Sequence, residues 1–118
     1  MSIKNIYSGG ALETIVASAA RTVSGNSGPI DGVGGAKTLR VQLDVTAAAG
    51  TTPNLAVLIE DTLDAGASWN SIGTFAARVA AGREVINITS PFSSTIRVSW
   101  AITGTTPSFT FSVVAFAE

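Results

Sequence analysis

The carboxylates Glu60, Asp61 and Asp64 form the only acidic cluster in the chain. A calcium site needs six or more oxygen ligands converging on one point. Glu60 and Asp61 are adjacent on an expected strand, so their side chains leave on opposite faces. The same divergence denies them the shared cleft that paired carboxylates need for glycoside hydrolysis. The chain has no His and no Cys. That removes imidazole bases, thiolate nucleophiles, disulfides and the common zinc sites. Five glycines and Pro29 crowd the stretch 24–36, but no Gly-x-x-x-x-Gly-Lys-Ser/Thr pattern is present, so a phosphate cradle is not expected. What remains is a permissive surface loop, with Pro29 and Ile30 as candidates for touching a partner. Tyr7, Trp69 and Trp100 are the rings that could stack on a sugar, and both tryptophans also fit core positions. No catalytic residue, cofactor or metal ligand is expected, and the chain reads as a non-enzyme.

Thr62-Leu63-Asp64-Ala65-Gly66-Ala67-Ser68-Trp69 fits Ser/Thr-x-Asp-x-Gly-x-Ser/Thr-Trp. It resembles the Asp-box of sialidases and many other β proteins. In such a turn the Asp carboxylate accepts local backbone N–H groups, Gly supplies positive φ and Trp packs beneath. Asp64, Gly66 and Trp69 are therefore expected to build a structural turn.

The elements that carry these residues are strands. Leu39, Val41, Leu43 and Val45 alternate with Arg40, Gln42, Asp44 and Thr46, the period of a half-buried strand. Gly50 and Pro53 then predict a turn, followed by a second strand through Leu55, Val57 and Ile59. The pattern recurs. Leu39–Thr46 matches Ile96–Thr103, Gly50-Thr51-Thr52-Pro53 matches Gly104-Thr105-Thr106-Pro107, and Leu55, Val57 and Ile59 match Phe109, Phe111 and Val113. The expectation is two similar hairpins in one domain. Residues 11–23 fit helical spacing through Leu12, Ile15, Val16, Ala19, Ala20 and Val23, while Ile15, Ala17, Ala19 and Val23 also fit one strand face with Arg21 as the exception, and the all-β surroundings favour a strand. Ile86 and Ile88 mark another strand, and Phe92 is expected to cover an end of the core. The last strand is apolar on both sides, with Val114 and Phe116 opposite Phe109, Phe111 and Val113. It is expected to be central, or sealed by another layer or subunit. The count is seven or eight short antiparallel strands. This predicts an all-β sandwich, jelly-roll-like or immunoglobulin-like, over 11–118, behind an N-terminal arm of 1–10.

Charged residues make up only 13% of the chain, against roughly 25% in ordinary domains. Such a surface suits one covered by other subunits, with a homo-oligomer expected and a trimer admissible. A net charge of −1 with scattered Arg and Lys argues against a nucleic-acid groove. No run approaches the roughly 20 apolar residues of a membrane span, and residues 1–10 carry no apolar signal core, so cytoplasmic synthesis is expected. Ile3, Ile6 and Tyr7 are candidate anchors of the arm on a neighbour; Val114 and Phe116 are further interface candidates.

Ala17-Ser18-Ala19-Ala20-Arg21-Thr22, a small-polar loop, and then Leu43-Asp44-Val45-Thr46-Ala47-Ala48 with a Gly/Thr/Pro turn resemble a group of small all-β proteins encoded among the structural genes of tailed bacteriophages and prophages. The resemblance runs from about Ala17 to the C-terminus. It implies a virion component assembled in the host cytoplasm: a head decoration (capsid cement) protein, or alternatively a tail or neck protein. The partners it implies are the major capsid protein or other virion subunits. A carbohydrate-binding module for host attachment is the alternative from a different class.

Overall fold

A computed structural model describes residues 4–5, 11–31, 37–89 and 91–117. These residues form strands β1 (Lys4–Asn5), β2 (Ala11–Arg21), β3 (Gly25–Asn26), β4 (Ile30–Asp31), β5 (Leu39–Asp61), β6 (Asn70–Thr74), β7 (Gly82–Ile88) and β8 (Ile96–Ala117), with no helix among them. The all-β expectation holds. Only β1 with β4 is parallel; the other ladders are antiparallel.

β5 and β8 are not short. Each exceeds twenty residues, and they pair along their whole length, from Leu39 opposite Ala117 to Asp61 opposite Ile96. Both bend midway. The first half of β5 and the second half of β8 lie between β7 and β2, giving a β2–β8–β5–β7 layer. Their other halves lie between β6 and the β3/β4 segments. Alternation points one side of each layer inward. Leu39, Val41, Leu43, Phe109, Phe111 and Val113 from one layer meet Leu55, Val57, Ile59, Ile96 and Val98 from the other in a single buried cluster. The second half of β8, apolar on both sides, is central in its layer.

The expected pairing of residues 39–46 with 55–59 is therefore corrected. Gly50 to Pro53 bends β5 without reversing it, and Gly104 to Pro107 does the same to β8. Each half pairs with the other copy instead, so two would-be hairpins are opened out and exchanged. A Gly-Thr-Thr-Pro signal marks a break in a ladder, and Pro needs no ladder donor. It does not say whether the chain folds back or only changes layer. At the crossing the copies mirror one another. Gly50 and Gly104 have φ of 114° and 122°, and Thr52 and Thr106 have 47° and 46°. Thr51 pairs with Thr105 at the centre, on an approximate internal two-fold.

The duplication extends beyond the stretch read in the sequence. Thr14 opposite Val114, Val16 opposite Val113 and Arg21 opposite Phe109 correspond to Ser71 opposite Glu60, Gly73 opposite Ile59 and Arg78 opposite Leu55. The sequence signal is Ala19-Ala20-Arg21 with Gly25, written again as Ala76-Ala77-Arg78 with Gly82.

β2 is a strand, and its helix-like spacing has a physical cause. Register shifts between Thr14 and Val16, and between Val16 and Ala19, mark bulges. They bury the adjacent pair Ile15 and Val16, which strict alternation forbids. Ala17, Ala19 and Val23, read as sharing a face with Ile15, are exposed. Arg21 closes the bulged end. It donates to the carbonyls of Ala17, Ala19 and Phe111 at 2.8, 3.0 and 3.0 Å, and its guanidinium lies over the rings of Phe111 and Trp100. Partial burial lowers its pKa from the ordinary value.

Candidate functional site

Alternation that buries one side of the β2–β8–β5–β7 layer turns the other side outward. Two rungs cross that outer face. One runs Leu12, Phe116, Arg40, Asn87; the next runs Thr14, Val114, Gln42, Val85. Between them lies a groove of about 430 Å³ lined by Leu12, Arg40, Gln42, Val85, Val114 and Phe116. Leu12 is 70% exposed and Val85 37%, although burial of side chains this size is ordinarily favourable by ~1.5–3 kcal/mol. Arg40 Nη1 donates to Asn87 Oδ1 at 3.1 Å. Further along the face, Arg83 and Asp44 form an exposed ion pair at 3.5 Å. The groove thus offers apolar contact area, one guanidinium and the Gln42 side-chain amide. No nucleophile–base pair is among its lining residues.

The acidic cluster is dispersed by the fold. Glu60 accepts from Arg97 Nε at 2.8 Å. Asp61 is buried and accepts the Ser93 N–H at 3.0 Å. Asp64 is consumed by its own turn. No group of three or more metal-ligating side chains converges among the described residues.

Asp64, Gly66 and Trp69 build the expected turn, which joins β5 to β6 as a true hairpin. Asp64 accepts from the Ser68 hydroxyl and N–H at 2.6 and 2.8 Å and from the Thr62 hydroxyl at 2.9 Å. The Gly66 N–H donates to Thr62 Oγ1, and Ala65 and Gly66 have positive φ. The hydrogen bonds from Ser68, joined by that from Thr62, hold the Asp64 carboxyl below its usual range. A carboxyl depressed in the folded state stabilises above its unfolded pKa and loses that contribution as pH falls through the folded value. Asp64→Asn is therefore expected to lower the urea midpoint at neutral pH. The gap to wild type should close below about pH 4, the ordinary aspartate range. A gap that persists unchanged in acid would show that charge is not what the turn uses.

Of the other residues named from sequence, Val114 and Phe116 lie in the groove. Pro29 is half-buried. Ile30 is fully buried and pairs with Lys4 and Ile96, so its side chain belongs to the core and not to an outer surface. Ile3, Ile6 and Tyr7 lie outside the described residues. Of the expected arm, Lys4–Asn5 pairs with β4 of the same chain. Trp100 sits at the core's margin, edge-on to Phe111 with ring centroids 5.5 Å apart. Its Nε1 donates to the Val23 carbonyl, and Gly25 lies against its ring. Trp69 carries Arg97 at 4.4 Å. Leu12, Arg40, Gln42 and Val85 were not among the sequence candidates. The signal for them is Val85, out of phase with Ile86 and Ile88, together with the polar phase of β5.

No protein-family model matches this chain, and no curated protein matches it in sequence. Solved structures do. The CBM22-1–GH10 modules of Clostridium thermocellum endo-1,4-beta-D-xylanase 10B, complexed with xylohexaose, match at 12% identity and a TM-score of 0.50 over 76% of this chain. This chain spans only 19% of that one. The CBM36-1 domain of a multidomain xylanase from the hindgut metagenome of Trinervitermes trinervoides matches at 8% identity and a TM-score of 0.49, over 93% of this chain and 98% of that one. A chain of the T13 IBDV viral particle matches at 14% identity and a TM-score of 0.46, over 92% of this chain and 31% of that one. The first match shows a shared β-sandwich fold. Function has to be argued from the site.

Proposed function

We propose that this chain is a non-enzymatic virion structural protein that decorates an assembled phage head, docking through the outer face of the β2–β8–β5–β7 layer. The observation that carries the reading is the open groove, where Leu12, Val85, Val114 and Phe116 line one contiguous apolar surface. Sparse charge over the chain and the resemblance to small phage structural proteins support it. The mechanism is mass action. A protein that binds only the assembled shell stabilises it by RT ln(1 + [L]/Kd), about 2.7 kcal/mol at a hundredfold excess over Kd.

Density-gradient sedimentation with purified heads of the phage or prophage that carries the gene tests this. Wild-type protein is expected to move with the heads. Leu12→Asp and Val114→Asp should each weaken co-sedimentation by about tenfold or more, because a desolvated carboxylate opposes docking. Their own unfolding should change little, since both side chains point outward. Wild-type protein that stays at the top of the gradient at every concentration overturns the proposal, and binding to a glycan array in its place moves the reading to a carbohydrate-binding module.

A further inference from the structure

The internal two-fold allows the groove to be compared with its counterpart on the other layer, and there the chain fills the place itself. Arg97 pairs across the ladder with Glu60, Nε to carboxylate at 2.8 Å. Trp69 lies over the same guanidinium at 4.4 Å. A cation held between a ring and a carboxylate is satisfied on both counts. In the groove, Val114 stands where the other copy has Glu60, as the matching pairs Thr14–Val114 and Ser71–Glu60 show. Leu12 stands where it has Trp69. At those two positions the groove has neither the ring nor the carboxylate, yet it keeps an arginine. Although Phe116 lines the groove, no ring contact to Arg40 is among the cation–π contacts of the described residues. Arg40 aligns with Arg97 in the sequence repeat and sits one outward rung further on, beside Phe116. It is exposed, with Asn87 as its hydrogen-bond acceptor and no carboxylate on it among the described residues.

We infer that the groove takes, from a partner protein, an extended segment that presents a carboxylate and an aromatic ring on one face. That segment supplies in trans the clamp that Glu60 and Trp69 supply within the other layer. The carboxylate meets Arg40, and the ring settles on Leu12, Val114 and Phe116. The inference rests on the docking reading above and names the chemistry of its partner. A second copy of this chain is a poor source. Of its eight side-chain carboxylates, all but that of Glu118 are described, and each of those seven already has a partner in its own chain.

The probe is the peptide Ac-Thr-Trp-Thr-Glu-Thr-NH2, whose alternation puts Trp and Glu on one face when extended. Its control carries Gln in place of Glu. Amide-shift mapping on the full chain is expected to move Leu12, Arg40, Val114 and Phe116. The control should bind about fivefold more weakly, the scale of one exposed ion pair, and added salt should shrink the difference. Arg40→Gln should abolish the preference for Glu over Gln. Equal binding of the two peptides, a preference that survives Arg40→Gln, or shifts confined to Trp69 and Arg97 would each overturn the inference. The head sedimentation separates the two claims. If wild type binds heads and Arg40→Gln binds them within about twofold, the clamp is refuted and the docking reading stands. If wild type never binds heads, the docking reading is refuted, and the peptides alone decide what the groove recognises.

Discussion

Alanine at Gly50 or at Gly104 is expected to cost about 2–4 kcal/mol at either position, and by similar amounts. The two glycines face each other's bend. A Cβ on Gly50 would stand 2.7 Å from the Thr106 carbonyl oxygen and 2.9 Å from Pro107 Cα; one on Gly104 would stand 2.7 Å from the Thr52 carbonyl oxygen and 3.0 Å from Pro53 Cα. The obstructing atoms are backbone, so no side chain can rotate away. Both glycines also have φ well inside the positive region, where an L-residue is strained by about 1–2 kcal/mol before any clash. The clash adds to the strain, because relief requires the opposite strand to slide. Thr51 and Thr105 pair at that point, so a slide would disturb both layers. Urea unfolding checks this, with an unchanged slope showing that the unfolded state is not the cause. The double variant should fall short of the sum, since both methyls push on one crossing. A cost at one glycine with none at the other would show that the approximate two-fold is not a mechanical feature of the fold.

That crossing also marks the limit of what the sequence discloses. The strands around Leu43 and Leu55 were legible because alternation reports directly which side is buried. The repeat was legible because equal strands need equal patterns. Their pairing was not, because Gly-Thr-Thr-Pro describes a break in a ladder and is silent on the direction taken after it. β2 was ambiguous for a related reason: two bulges put Ile15 and Val16 side by side in the core, and an extra residue in a strand imitates helical spacing. At the groove, Val114 and Phe116 stood out because an apolar residue in the outward phase of a strand is anomalous. Leu12 and Val85 did not, since only the ladder shows that residues so distant in sequence share a face. Arg40 belonged to the polar phase of its strand, and nothing in that alternation singles it out. That no carboxylate lies on it among the described residues stands out only beside Arg97, the arginine aligned with it in the repeat, which Glu60 and Trp69 hold on the other layer.

Truncation of Phe111 is expected to be the most damaging change in the core, at about 3–5 kcal/mol for Phe111→Ala. The ring is fully buried. It meets Trp100 edge-on, with centroids 5.5 Å apart and planes at 77°, and the Arg21 guanidinium lies over it at 4.7 Å. Three losses combine: the transfer energy with its cavity; the aromatic pair, worth about 0.5–1.5 kcal/mol; and the cation–π contact, of order 0.5–1 kcal/mol. The last two reach beyond the core, because Trp100 and Arg21 together hold the bulged end of β2 and the passage to β3. Arg21 keeps its three carbonyl acceptors without the ring, so the strand should loosen before it detaches. Set against the 5–15 kcal/mol by which whole domains are stable, the loss brings Phe111→Ala close to unfolding at ambient temperature. Where that variant does not fold, Phe111→Leu retains most of the volume and is expected to cost under about 2 kcal/mol. A double-mutant cycle with Trp100→Leu then isolates the ring pair, with a coupling of about 0.5–1.5 kcal/mol expected. Tryptophan fluorescence should shift to the red in Phe111→Leu as the indole gains water. A coupling near zero would mean that Trp100 is held by its Val23 hydrogen bond, by Gly25 and by the Arg21 guanidinium over its ring, and that the edge-on contact is incidental to the stability of this corner.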